Sequence, residues 1–224
     1  FFVVYSSMKI KLNIPTSLLE ITLAQYQEFI KLTDGKEDNP KLMQKTLEIF
    51  CGIDLKDIAT VKFSDVERIL AKINKLFEYD QPLINRFKHK GKEFGFIPNL
   101  DEMTLGEFID LDNTIINWEN MHKAMGVLYR PIEVAVKNKY TIEPYESYDK
   151  YDMSEMPVGI ALGALVFFWT LNNELITNIP NYLQREMSNL TFQQQEALLK
   201  SGVGINQFTD WQKEMSKTLT RLLR

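Results

Sequence analysis

The longest apolar run in the chain is Val158–Leu171, which lies inside the stretch Met156–Ile176. A helix that crosses a bilayer needs about 18–20 apolar residues. This run is shorter, and it ends in two asparagines and Glu174 rather than in a basic anchor. An all-round apolar helix is typical of a protein core. The pattern therefore predicts a buried central helix; a membrane segment and an apolar surface covered by a partner are the alternatives.

Two glycines inside this run predict how it packs. Gly159 and Gly163 lie one helical turn apart. Because neither carries a Cβ, another backbone can approach the strip between them closely. Pro157 suits the first turn of the helix, where its missing N–H loses no intrahelical bond.

The N-terminal part alternates between strand and helix patterns. Residues Lys9–Ile14 alternate polar and apolar side chains, which predicts a half-buried strand ended by Pro15. Thr22 and Gln25 have the T-x-x-Q spacing of a capping box and open a helix. The polar, turn-rich stretch Thr33–Pro40 predicts a loop.

Two more helices and a hairpin follow. A helix is expected at about Lys41–Phe50, ending at Gly52, and a capping box at Ser64–Glu67 opens another amphipathic helix. Leu83–Phe87 and Glu93–Ile97 then predict the strands of a hairpin around Gly91. Its basic residues favour a solvated strand edge over a phosphate-binding patch; they are Arg86, Lys88, Lys90 and Lys92.

The hairpin leads into a segment that resembles the N-terminus. Ile14–Tyr26 and Ile97–Phe108 share an Ile-Pro turn, an acid, a Thr-Leu pair and an aromatic residue. Each has a capping box at its threonine, the second at Thr104–Glu107. Two explanations of the likeness are open: an ancient duplication, or the independent use of the same local structure, a strand ended by proline that leads into a helix capped by threonine. The second is slightly favoured.

Beyond this point the chain predicts a long helix, a short strand and a loop. The helix is expected at Thr114–Arg130, ended by Pro131, and its apolar stripe comprises Ile115, Trp118, Met121, Met125 and Leu128. Lys139–Ile142 predicts a short strand. The acidic, tyrosine-rich stretch Glu143–Asp152 predicts an exposed loop.

The C-terminal part predicts two more helices. One begins at Thr191–Gln194, and Asn206–Arg224 is amphipathic, with Lys217, Arg221 and Arg224 favouring its C-terminal dipole. Such a helix packs on its own domain or docks on a partner. The candidate partner contacts are Arg130 and the apolar stripe of this helix, which comprises Trp211, Met215, Leu219 and Leu222. Arg130 ends the helix predicted at Thr114–Arg130, where it either bonds the last carbonyls of that helix or pairs with an acid across an interface.

Composition and charge narrow the function. The 224 residues have 45% hydrophobic and 25% charged residues and a net charge of −4, which is ordinary for a globular protein and lacks a basic nucleic-acid footprint. The lone Cys51 permits no internal disulfide and is expected to be a buried apolar residue. Phe1–Ser7 has no signal-peptide pattern, and we interpret it as an upstream or disordered extension before Met8.

Catalytic and metal-binding patterns are sparse. Glu119 and His122 have the E-x-x-H spacing of di-metal carboxylate bundles, but such a site requires that motif twice. The acids between Asp101 and Asp112 suit a helix start better than glycoside chemistry. The sequence therefore predicts a protein that is not an enzyme, with no cofactor and no metal.

Four blocks of sequence resemble a group of proteins from tailed double-stranded DNA bacteriophages, including phages of gut bacteria. They are Met8–Pro15, Phe94–Asp112, Met121–Ile132 and Met156–Leu171. The resemblance covers most of the chain from Met8 to about Tyr182. It implies a virion-assembly protein, with the tail assembly chaperone as the nearest functional class.

What that resemblance implies is a non-enzymatic protein that holds tail-tube or tape-measure subunits before they polymerise. The expected location is the host cytoplasm, with no nucleic-acid or membrane partner, and a homo-oligomer remains open. One alternative is a structural component of the virion, such as a neck, connector or tail-completion protein. Another is an enzyme or host-defence inhibitor, which requires a deep pocket with converging polar groups.

The predicted fold class is α+β and mainly helical, with helices around a central buried helix and a small antiparallel sheet or hairpin. We expect a single domain over residues 8–224, with 139–152 as the alternative lobe boundary.

A buried central helix predicts that a charge within it prevents folding. We expect Ala164→Asp to lower the free energy of unfolding by about 3–5 kcal/mol, because an unpaired charge would be buried. Thermal unfolding followed by circular dichroism measures this. A retained cooperative transition at the wild-type temperature would instead identify this helix as a surface for a partner.

Overall fold

The computed structural model describes residues 2–5, 8–33, 40–78, 81–168 and 170–171. The described helices are α1 (Leu23–Thr33), α2 (Pro40–Cys51), α3 (Leu55–Ile58), α4 (Phe63–Leu76), α5 (Leu105–Thr114), α6 (Met121–Leu128) and α7 (158–168). The described strands are β1 (Phe2–Tyr5), β2 (Met8–Lys11), β3 (Arg86–His89), β4 (Lys92–Phe96), β5 (Tyr129–Val136) and β6 (Lys139–Ile142). The predicted class, α+β and mainly helical, is confirmed.

The strands form two antiparallel sheets. Strands β1 and β2 pair with each other, and the other four lie in the order β3-β4-β5-β6. The predicted β3–β4 hairpin is confirmed, and its turn has positive φ at Lys90 (46°) and Gly91 (81°). Two consecutive positive φ angles match the right-handed twist of paired strands, and Gly91 adopts this conformation without a Cβ penalty.

The two N-terminal strands pair with each other. Residues Phe2–Tyr5 form a strand that pairs antiparallel with Met8–Lys11, which ends earlier than the strand predicted at Lys9–Ile14. Valine and aromatic residues favour extended backbone, so FVVY suits a strand. The chain divides between Gly163 and Ala164 into two compact units, and 139–152 lies inside the first.

The capping box at the start of α1 is confirmed. The N–H of Thr22 donates to Oε1 of Gln25 at 2.9 Å, and the N–H of Gln25 donates to Oγ1 of Thr22 at 3.2 Å. The predicted box at Ser64–Glu67 is wrong. Helix α4 begins at Phe63, after an extended Lys62 that makes no side-chain cap, so Ser64 already lies inside the first turn.

The long helix predicted at Thr114–Arg130 is also wrong. Helix α5 ends at Thr114, α6 covers only Met121–Leu128, and β5 begins at Tyr129. The residue before a proline disfavours helical backbone. Strand β4 supplies the alternative, since Phe96 pairs with Tyr129 and Phe94 with Pro131. Pro131 lies beside a register shift, where a missing N–H is tolerated.

The first turn of α7 is fixed by backbone contacts with the segment before α1. The N–H of Leu23 donates to the carbonyl of Met156 at 2.8 Å, and the N–H of Val158 donates to the carbonyl of Ile21 at 2.8 Å. Residues 158–165 are all buried. The predicted buried helix is therefore confirmed for these residues, whereas the end of the predicted stretch, 172–176, lies outside the described residues.

The predicted close approach at the two glycines of α7 is confirmed. A Cβ at Gly163 would overlap the carbonyl oxygen of Pro82, and a Cβ at Gly159 would lie 3.1 Å from the Cβ of Leu18. A backbone carbonyl cannot move aside as a flexible side chain can. Position 163 therefore accommodates only glycine without a shift of the backbone.

This contact predicts that Gly163→Ala destabilises the protein by about 1–3 kcal/mol, as overpacking does. Gly106→Ala is a matched control in another helix, because a Cβ there meets nothing within 4 Å. Higher helix propensity should make that control stabilising by up to about 1 kcal/mol. Chemical unfolding monitored by fluorescence measures both. Equal effects of the two substitutions would contradict the contact.

Candidate functional site

Helix α5 exposes an apolar stripe. Leu105 is 74% exposed, Phe108 59%, Ile109 48% and Ile116, just beyond the helix, 42%. The spacing of these residues places them on one face of the helix. We call this set of four side chains the α5 stripe. Large neighbouring apolar side chains that remain in water are typical of a surface that binds another protein.

The opposite face of α5 is buried although it is partly polar. It consists of Glu107, Leu111 and Thr114, and the hydroxyl of Thr114 donates to the carbonyl of Asp110 at 2.6 Å. An ordinary amphipathic helix would bury Leu105 and Phe108 and expose Glu107. This helix does the reverse, so a specific interaction must compensate for burying the Glu107 carboxylate.

Two partners provide that compensation. Oε2 of Glu107 accepts a hydrogen bond from the N–H of Thr104 at 2.6 Å, which completes the predicted capping box. Oε1 lies 2.6 Å from Nη1 of Arg130 on β5, and these side chains are only 4% and 10% exposed. Burial raises the pKa of Glu107, but the hydrogen bonds with Thr104 and the charge of Arg130 together lower it below its ordinary value.

A tyrosine fixes the same face of α5 to the segment after β6. The hydroxyl of Tyr145 donates to Oδ2 of Asp110 at 2.5 Å, and the guanidinium carbon of Arg130 lies 5.5 Å from the centre of the Tyr145 ring. Burial, and then the bond to Asp110, raise the pKa of Tyr145, so the hydroxyl keeps the proton it donates. The predicted loop Glu143–Asp152 is therefore anchored to the fold and only partly exposed.

The structure places one of the predicted partner contacts. Arg130 is buried and paired with Glu107, so contacting another protein would require it to leave that pair. The other predicted contacts lie outside the described residues; they are Trp211, Met215, Leu219 and Leu222. Met121 and Met125, which belong to the apolar stripe predicted for this part of the chain, are buried in the core and offer no surface.

His122 and Cys51 occupy structural positions. Nδ1 of His122 lies 3.1 Å from Nε2 of Gln27, within hydrogen-bond distance. Burial raises the pKa of the Cys51 thiol to about 11, which leaves it protonated and unreactive at neutral pH. Within the described part of the chain, no group of three or more His, Cys, Asp or Glu side chains is placed to hold a metal ion.

A cavity of about 450 Å³ lies between residues 12–16 and α4. The ionisable side chains in its lining are Lys72 and Lys75, and the hydroxyl of Thr16 donates to Glu20 at 2.7 Å. This lining contains neither a carboxylate nor a histidine.

Comparison of the chain with protein-family models, curated proteins and solved structures finds no match. No helix among the described residues has the length and apolar character needed to cross a membrane.

Sequence patterns identify Thr104 and Glu107 as a cap but do not show that the α5 stripe is exposed. Leu105, Phe108 and Ile109 have the spacing of a core face. The one sequence signal that sets this segment apart is its charge, because residues 98–117 contain no Lys, Arg or His.

The paired carboxylate predicts that Glu107→Gln destabilises the protein by about 3–5 kcal/mol at pH 7, because Arg130 would remain buried without a counter-charge. Glu102→Gln is the exposed control and should change stability by less than about 0.5 kcal/mol. Urea unfolding measures both variants. Equal stability of Glu107→Gln and wild type would contradict a stabilising pair.

The same pair predicts a pH dependence. The folded-state pKa of Glu107 lies below that of the unfolded chain, about 4.3. The stabilisation that the Glu107 carboxylate contributes is therefore complete above the unfolded-state pKa and is lost as the pH falls through the folded-state pKa. The stability difference between wild type and Glu107→Gln should narrow in acid, and a constant difference from pH 7 to pH 3 would contradict it.

Proposed function

We propose that this chain is a non-enzymatic bacteriophage assembly protein, a tail assembly chaperone whose α5 stripe covers a tail-tube or tape-measure subunit before polymerisation. The observation that carries the proposal is the inverted orientation of α5, which exposes Leu105, Phe108 and Ile109 while burying Glu107. A chaperone needs a fixed apolar surface and no catalytic group.

The resemblance to phage proteins supports this function, and α5 coincides with one of the blocks that carry it, Phe94–Asp112. The rigidity of the site also supports it. The capping box, the Arg130 ion pair and the Tyr145–Asp110 bond together orient α5 before any partner arrives. A surface ordered in advance loses less conformational entropy on binding.

The test is co-expression of the full chain with tail-tube and tape-measure subunits of a tailed bacteriophage. We expect wild type to co-purify with one of them and keep it unassembled, and the double variant Leu105→Ser/Phe108→Ser to lose it. The matched control is Val134→Thr/Val136→Thr, which removes two exposed apolar side chains, 58% and 64% exposed, from β5.

Unchanged capture by the Leu105→Ser/Phe108→Ser variant, with an unaltered melting temperature, would overturn the role of the α5 stripe. Quantitative mass spectrometry of purified phage particles tests the chaperone function separately. Stoichiometric copies of this chain in the mature particle would assign it instead to the structural components of the virion.

A further inference from the structure

The segment that carries the α5 stripe is acidic. Residues 98–117 contain five acids and no basic residue; the acids are Asp101, Glu102, Glu107, Asp110 and Asp112. Glu107 is neutralised by Arg130, and Asp110 accepts the hydroxyl of Tyr145. The remaining three, Asp101, Glu102 and Asp112, are exposed.

The exposed carboxylates of this segment form no ion pair with another described residue. In the part of the chain that the structure describes, none of them has a lysine or arginine nitrogen within 4.0 Å. Asp112 lies three residues after Ile109 and four after Phe108, so it belongs to the same helix face as the α5 stripe. Asp101 and Glu102 form the 3₁₀ turn that precedes the helix.

The acids determine which occupants fit. A second copy that docked through the same face would bring two sets of carboxylates together, and like charges across an interface are strongly unfavourable. Nucleic acid is excluded from this face for the same reason, because its phosphates are anionic. A cationic partner instead gains attraction from all three carboxylates.

The shape of the surface narrows the partner further. Helix α5 has 10 residues, so it is about 15 Å long. Its exposed apolar side chains form one narrow stripe instead of a broad patch. Such a stripe packs best against the apolar stripe of another helix of similar length.

We propose that the α5 stripe binds an amphipathic α-helix of a partner protein whose apolar stripe is flanked by lysine or arginine. This inference rests on the proposed function, in which the α5 stripe is the partner-binding surface, and it names the chemistry of the segment that is bound. The apolar contacts supply affinity, and the charges select basic helices and exclude acidic ones.

The probes are two capped synthetic peptides of about four helical turns with leucine at i, i+3, i+4 and i+7. One carries lysine at the flanking positions and the other glutamate. Binding to the full-length protein is measured by isothermal titration calorimetry. We expect the lysine peptide to bind at least about tenfold more tightly than the glutamate peptide, with an advantage that shrinks as salt is raised.

Two sets of variants locate the contact. Asp101→Asn/Glu102→Gln/Asp112→Asn should remove the advantage of the lysine peptide and leave residual apolar binding. Leu105→Ser/Phe108→Ser should abolish binding of both peptides. The control Val134→Thr/Val136→Thr should bind like wild type, and the melting temperature of each variant shows whether it is folded.

Equal affinity for the two peptides, or binding of neither, would overturn the inference about charge. The proposed function is tested separately by the capture of tail subunits. If wild type captures a subunit and Leu105→Ser/Phe108→Ser does not, the proposed function stands even when the inference about charge fails. A dimer that sedimentation detects in wild type and that this variant loses would assign the surface to a second copy and overturn the inference.

Discussion

The orientation of α5 depends on the buried carboxylate of Glu107. One of its oxygens caps the helix through Thr104, and the other pairs with Arg130 on β5. If α5 rotated to bury Leu105 and Phe108, Glu107 would leave Arg130 behind as an unpaired buried charge, which costs several kcal/mol by the usual range. This cost opposes a rotation that would bury the apolar residues of α5, which remain exposed.

A second constraint of the same kind fixes the start of α7. Backbone groups of Ile21 and Leu23 bond to Val158 and Met156, so two segments distant in sequence satisfy each other's polar groups. Gly163 then brings the helix within contact of the Pro82 backbone. In both places the specific partner of a buried polar or charged group determines where the apolar surface lies.

These constraints connect the architecture with the proposed chaperone function. Residues that carry reactive chemistry in other proteins are used here to maintain structure, such as Cys51 with its raised pKa and His122 beside Gln27. Among the described residues, the distinctive surface is helix α5, with an exposed apolar face and three exposed carboxylates that form no ion pair within 4.0 Å. The apolar face supports affinity for an apolar segment of a partner, and the carboxylates support a preference for a segment that is also basic.

The sequence alone determined features that depend on near neighbours. The capping boxes at Thr22 and Thr104, the turn at Gly91 and the strand at Lys139–Ile142 follow from local conformational preferences, because every group involved lies within a few residues. The close approach at Gly163 was also predictable, since only glycine leaves room for a backbone.

Tertiary structure decided the features that depend on partners distant along the chain. The helix expected at Thr114–Arg130 does not continue to Arg130, because Tyr129, Arg130 and Pro131 pair with strand β4 instead. The face that α5 exposes is set by Arg130, which contacts Glu107 from its position on β5. The candidate site could not be identified from periodicity, because the same apolar spacing describes a core face and an exposed one, and only the pairing of a buried charge distinguishes them.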